Sequence, residues 1–105
     1  VIEVVNKKVY KGDGEYIGRP SALGNPYAVG KNAFGKIRTR EEAIEEYKTW
    51  FLGMLLVPTY NNVKGEFMRL VEIYKETGNL ILICWCVPLP CHGDYLKEQI
   101  LEICK

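Results

Sequence analysis

The sequence predicts an α/β fold: a small mixed or parallel sheet of three to four strands covered by about three helices. Three observations carry this expectation. Short β-rich runs stand near both ends of the chain (Ile2 to Val5 and Leu80 to Cys86), two amphipathic helical patterns lie between them, and a third closes the sequence. The chain has 105 residues, 48% hydrophobic and 11% aromatic. That suits a single domain over residues 1–105, with no room for a second core.

The elements follow in order. Ile2-Glu3-Val4-Val5 is β-branched and stops at Asn6-Lys7-Lys8, a turn. Val9-Tyr10 and Glu15-Tyr16-Ile17 flank Lys11-Gly12-Asp13-Gly14, and Asp-Gly between short apolar stretches predicts a tight hairpin. Residues 18–36 are rich in glycine and proline and read as one long ordered loop; in so small a domain a loop of that length is usually functional or disordered. Thr39 and Glu42 fit a capping box. Ala43, Ile44, Tyr47, Phe51, Met54 and Leu55 then recur at helical spacing until Pro58. A second helix begins near Asn62, carries Val63, Phe67, Leu70, Val71 and Tyr74 on one face, and ends at Gly78. Leu80 to Cys86 is apolar on both faces, as a central strand would be. The last helix begins around Gly93-Asp94 and should bury Leu96, Ile100 and Leu101.

Charge excludes some partners. The formal net charge is +1, from 14 basic and 13 acidic side chains. A nucleic-acid coat or a polybasic membrane binder needs a large excess of one sign, so neither nucleic acid nor a membrane is an expected partner. The longest apolar run, Leu80 to Val87, is far shorter than the ~20 residues that span a bilayer. The opening Val1-Ile2-Glu3-Val4 reads as strand and not as a secretory segment. The expectation is a soluble, cytoplasmic protein. Residues 1–38 are more basic than the remainder, which suits a small anionic ligand or plain solubilising charge. Lys and Glu dominate the charged set and Gln occurs once, a thermophile tendency that the six Asn residues oppose.

Two segments carry candidate chemistry, and both fall where ligands collect in parallel sheets, beyond the carboxyl ends of strands. The first runs from Tyr16 to Tyr27. Its turns can present backbone amides to an anion, and Arg19 offers a planar fork for phosphate or carboxylate. Gly18, Arg19, Ser21, Gly24 and Asn25 are the candidate ligand-binding residues; the alternative is a rigid structural loop with Arg19 paired to a carboxylate. No nucleotide-binding motif is matched.

The second segment holds Cys84, Cys86, Cys91 and the sole histidine, His92. A thiol at a helix N-terminus meets unpaired amides and the positive end of the dipole, which should lower its pKa. With His92 as proton acceptor, Cys91 becomes the candidate nucleophile and the pair the candidate catalytic residues. Asp94 is expected to cap that helix. Three alternatives use the same residues. Cys86, Cys91 and His92 could bind zinc, although the Cys-x-Cys spacing is tighter than the usual knuckle. Cys86 and Cys91 could form a disulfide. The thiols could also be small buried hydrophobes, the expected role of Cys84 and Cys104. No cofactor is predicted outright.

Three motifs, Tyr16-Ile-Gly-Arg-Pro-Ser-x-Leu-Gly-Asn-Pro, Thr39-Arg-Glu-Glu-Ala-Ile-x-x-Tyr47 and Cys84-Trp-Cys-x-Pro…Cys91-His-Gly-Asp-x-Leu96, occur in this order. Together they resemble an uncharacterised family, a domain of unknown function found in phages, bacteria and archaeal viruses. The composition also resembles a small protein of a rod-shaped archaeal virus, whose location would be the host cytoplasm. The resemblance implies that the Gly18 to Pro26 loop and the Cys86/Cys91/His92 cluster are hallmark regions. It supplies no activity.

Two functional readings result. In the first, a pocket between the Gly18–Asn25 loop and the Cys91–His92 helix start binds a small anionic, nucleotide-like ligand, with Cys91 and His92 available for chemistry. In the second, the chain is a non-enzymatic viral or phage accessory protein that binds a host protein, and its cysteines are structural. Homo-oligomerisation is open in both. The first reading requires Arg19 and His92 to approach one cleft.

Overall fold

The computed structural model of the chain describes residues 1–31 and 33–105; position 32, inside the long loop, lies outside the described residues. The elements are β1 (Ile2–Asn6), β2 (Glu15–Tyr16), β3 (Gly30–Lys31), β4 (Ile37–Arg38), α1 (Arg40–Leu56), α2 (Asn62–Thr77), β5 (Leu80–Cys84) and α3 (His92–Ile103). The fold is α/β, as the sequence predicts. A three-stranded sheet of order β1-β5-β2 has β5 parallel to both neighbours, with Ile2 opposite Leu80 and Glu15 opposite Leu82. A small antiparallel pair, β3-β4, forms a separate ribbon inside the glycine-rich loop. Gly30 and Gly35 allow that ribbon to turn, since both take positive φ values (104° and 80°) that side chains disfavour.

The predicted hairpin across Lys11–Gly14 does not form. Asn6 ends β1 with a local turn, its side-chain carbonyl accepting from Lys8 N–H at 2.8 Å, and Val9 is left exposed. Glu15–Tyr16 instead adds to the second edge of β5, continued by Ile17 N–H donating to the Ile83 carbonyl at 2.9 Å. The competing edge of a central apolar strand offers more burial than an exposed two-strand ribbon, and it wins.

Helix boundaries follow local chemistry. Thr39 and Glu42 form the expected capping box, with bonds of 3.1 and 2.9 Å. Asn61 caps α2, and Gly78 closes it in the left-handed conformation at φ 73°. α3 starts one turn position earlier than expected, at His92, with Cys91 as N-cap.

The core lies between the helices and the face of the sheet carrying Ile2, Leu80, Leu82 and Cys84. Tyr47, Phe51 and Phe67 fill it, and Phe51 meets Phe67 edge to face with centroids 5.0 Å apart. Leu96 and Ile100 anchor α3, whereas Leu101 is exposed. The opposite face of β5, with Ile81 and Ile83, is only half-buried, so this strand is central in the sheet without being covered equally on both sides. Among the described residues, no helix is long and apolar enough to cross a membrane.

Candidate functional site

Four elements meet at one edge of the core: the chain leaving β2, the chain leaving β5, and the first turns of α1 and α3. Between them lies a cavity of about 120 Å³ lined by Gly18, Arg19, Asn25, Tyr27, Val29, Arg40, Ala43, Ile44, Cys84, Trp85, Cys86, Pro90, Cys91 and His92. An engineered cavity of about 150 Å³ accommodates benzene. This one therefore admits a group no larger than a single small ring, with anything further lying across the rim.

Arg19 and His92, 73 positions apart in sequence, line this same cavity. The loop that brings them together is held by backbone and buried polar contacts. Ser21 N–H donates to the Gly18 carbonyl at 2.8 Å, and Gly24 N–H donates to that of Ser21 at 3.0 Å. The buried Tyr47 hydroxyl donates to the Leu23 carbonyl at 2.8 Å and ties the loop to α1. Asn25 adds a second tie through its amide, which donates to the Ala43 carbonyl at 3.1 Å and accepts from Tyr27 N–H at 2.8 Å. Gly24 is obligatory for another reason. A Cβ there would stand 2.9 Å from the backbone nitrogen of Arg19. Ser21 and Gly24 do not line the cavity, so of the five loop residues singled out in the sequence, Gly18, Arg19 and Asn25 face it.

His92 is buried, with its imidazole edge to face against Tyr47 at 5.0 Å. Its Nε2 lies 2.7 Å from the Ile17 carbonyl oxygen. A carbonyl only accepts, so Nε2 carries the proton and Nδ1 presents a lone pair. That nitrogen faces Cys91 Sγ at 3.4 Å. Burial pushes the imidazole below its ordinary pKa, outweighing the Ile17 carbonyl, and the nearby Arg19 charge acts in the same direction. At neutral pH, His92 is an uncharged base oriented by a backbone carbonyl.

The thiols divide differently from the sequence expectation. Cys91 does cap α3: its sulfur accepts from Gly93 N–H at 3.4 Å, and Asp94 returns the box by accepting from Cys91 N–H at 3.2 Å. Its pKa is nevertheless raised, because it shares a hydrogen bond with Cys84 and is buried. Cys84 is the thiol whose pKa falls, to about 6. The Cys91 side chain donates to it, and the backbone N–H groups of Cys86 and Val87 add further bonds that outweigh burial. The fall expected at Cys91 does not occur: the Gly93 N–H at the helix start does lower its pKa, but the Cys84 bond and burial outweigh it.

All four cysteines are free thiols. Among the described residues, no group of three or more His, Cys, Asp or Glu side chains is arranged to hold a metal ion. Both nitrogens of His92 are already engaged, by the Ile17 carbonyl and by Cys91.

Sequence reasoning missed Arg40, Tyr27 and Trp85 in this lining. Arg40 left a readable signal. It is the first residue of α1, where a cation opposes the helix dipole, so its presence there serves something other than helix stability. Trp85 left none, because the strand ends at Cys84 and the bend, not strand alternation, sets its direction. Its indole N–H donates to the Tyr16 hydroxyl at 2.9 Å, and that hydroxyl donates to the Arg19 carbonyl at 2.7 Å.

The family described as a domain of unknown function, DUF4326, matches residues 3–102. No curated protein and no solved structure matches the chain.

Proposed function

We propose that this chain, which belongs to the DUF4326 family, binds a small anionic ligand in the cavity between the Gly18–Asn25 loop and the start of α3. One observation carries the reading: Arg19 and Arg40 line the same small cavity that the first turns of α1 and α3 border. Two arginines and the first turns of two helices border a site with no carboxylate in its lining. Among the described residues, the Arg19 guanidinium has neither an ion-pair nor a hydrogen-bond partner, which disfavours a structural role for its charge. Tyr27 and Trp85 in the lining suit a ligand with a flat ring beside its charge, as a nucleotide has. Cys84, Cys91 and His92 on the same wall supply a nucleophile and a base should the ligand be a substrate.

The test is calorimetric titration with inorganic phosphate, AMP and ADP. Arg19→Lys should weaken the binding of whichever anion registers by about tenfold or more, since lysine cannot make the paired contacts of a guanidinium, and leave the melting temperature unchanged. A matching loss of thermal stability would make Arg19 structural and remove the central support.

A second reading, a viral or phage accessory protein docking on a host protein, is favoured by one feature. In and around the β3–β4 ribbon, Val29, Phe34 and Ile37 are each exposed, Phe34 to 95%. Asp substitutions at Phe34 and Ile37 that abolish a host interaction and spare anion binding would favour it.

A further inference from the structure

The lining of the cavity divides by depth. Gly18, Ala43, Cys84, Cys91 and His92 are buried and make its floor, whereas Arg19, Trp85 and Pro90 are exposed and make its mouth. We propose that the floor takes a single uncharged aromatic ring and the mouth holds the anionic group attached to it, so that the ligand is an anion built on one aromatic ring. This deepens the anion-binding reading above and rests on it.

An anion finds little to hold it on the floor. Both ring nitrogens of His92 are taken, Nε2 by the Ile17 carbonyl at 2.7 Å and Nδ1 by Cys91 Sγ at 3.4 Å. The remaining side-chain donors there are thiols, which are weak. Burying a charge against such groups is costly, while a ring packs well against thiols that behave as small hydrophobes. The charge has its partners at the mouth. Arg19 is exposed, and the Arg40 guanidinium reaches the Pro90 carbonyl there at 3.4 Å.

Size sets the ring. At about 120 Å³ the cavity is smaller than the one of about 150 Å³ that accommodates benzene, so one ring fills it to the mouth and a fused pair, a purine included, is too large. Trp85 keeps the mouth from widening. Its indole N–H donates to the Tyr16 hydroxyl at 2.9 Å, which in turn donates to the Arg19 carbonyl at 2.7 Å. Gly18 makes room for this brace, since a Cβ there would stand 2.5 Å from the Tyr16 hydroxyl.

Calorimetric titration of the reduced chain at pH 8 with methyl phosphate, phenyl phosphate, naphthyl phosphate and phenol tests the proposal. The three esters carry the same charge and differ in ring count, and phenol keeps the ring without the charge. Phenyl phosphate should bind about tenfold or more tightly than either methyl or naphthyl phosphate. Ala43→Val, which narrows the floor, should remove the advantage of phenyl over methyl phosphate and leave methyl phosphate unchanged. Trp85→Ala, at an exposed position, should admit naphthyl phosphate, and it carries the test if the Ala43 variant fails to fold. Equal binding of methyl and phenyl phosphate would overturn the ring-binding floor and leave the anion reading standing. Naphthyl phosphate binding as well as phenyl phosphate would overturn the single-ring limit. Phenol binding as tightly as phenyl phosphate would keep the floor but overturn the anionic ligand class, and with it the reading on which this one rests. No binding by any of the four would overturn the proposal outright.

Discussion

Two helices of this protein begin with the same device built from different chemistry. At α1, Thr39 and Glu42 close a capping box through two oxygens, on the surface, with bonds of 3.1 and 2.9 Å. At α3, Cys91 and Asp94 close one through a sulfur, in the core, with the longer distances of 3.4 and 3.2 Å. Oxygen-bearing Ser, Thr, Asp and Asn are the favoured N-caps, and a thiol is a weak substitute. Sulfur at position 91 is therefore costly as a cap and is explained by what else it touches, Cys84 and His92. The first box holds a helix in place. The second holds a helix in place while aligning a thiol with a base.

Substitution should pull the two boxes apart, and the largest expected difference lies in the caps themselves. Thr39→Ala removes an oxygen cap and should lower stability by about 1 kcal/mol, read by denaturant unfolding. Cys91→Ser should stay within about 0.5 kcal/mol of the parent, because the better oxygen cap offsets the burial of a hydroxyl. A loss at Cys91→Ser equal to that at Thr39→Ala would mean that the sulfur is held by packing alone, and the contrast would fail.

Titration sharpens the same comparison, because only the α3 box sits among groups with displaced pKa values in the core. Burial holds His92 below its ordinary value of 6.5. The unfolded chain thus takes up that proton first as the pH falls, and acid destabilises the fold. Cys84 is held at about 6 against 9.0 when unfolded, so its stabilisation is complete above pH 9 and is lost as the pH falls through 6. The two effects share a sign, and the melting temperature should drop steadily from pH 9 to pH 5. Asp94 opposes the shift at both groups, Arg19 adds to it at His92, and Cys91 deepens it at Cys84. In His92→Gln, whose amide can still donate to the Ile17 carbonyl, the acid limb below pH 6.5 should flatten while the limb from 6 to 9 persists. An unchanged acid limb would show that His92 titrates no differently in the folded chain.

How much of this was legible in the sequence depended on whether the cause was local. The Thr39 box and the Gly78 stop are set by residues within one helical turn, and each stands where the sequence put it. The central place of Leu80–Cys84 in the sheet was legible too, since that run is apolar on both faces. The Glu15–Tyr16 strand was misread because its partner is distant: Asp-Gly proposed a hairpin, and β5 supplied a better edge. The convergence of Arg19, Cys91 and His92 followed from the rule that strand ends gather ligands. The raised pKa of Cys91 and the lowered pKa of Cys84 did not, because the amides that favour the Cys84 thiolate belong to Cys86 and Val87, at and beyond the bend that follows β5.

The smallest expected effect falls on the residue that joins the two helix starts. Arg40 opens α1, where its charge opposes the dipole, yet its guanidinium reaches the Pro90 carbonyl at 3.4 Å, just before the α3 cap. A neutral–cation hydrogen bond at that length, in the exposed region, contributes little. Arg40→Gln should therefore raise stability slightly, by about 0.3 kcal/mol as the dipole conflict is relieved, a shift of one or two degrees in melting temperature. The same substitution should weaken anion binding measurably, because one of the two guanidinium groups lining the cavity is gone. Stability and binding moving in opposite directions would place Arg40 with the ligand. If both fall together, the Pro90 contact fastens the two helix starts, and the pocket then relies on Arg19 alone for its charge.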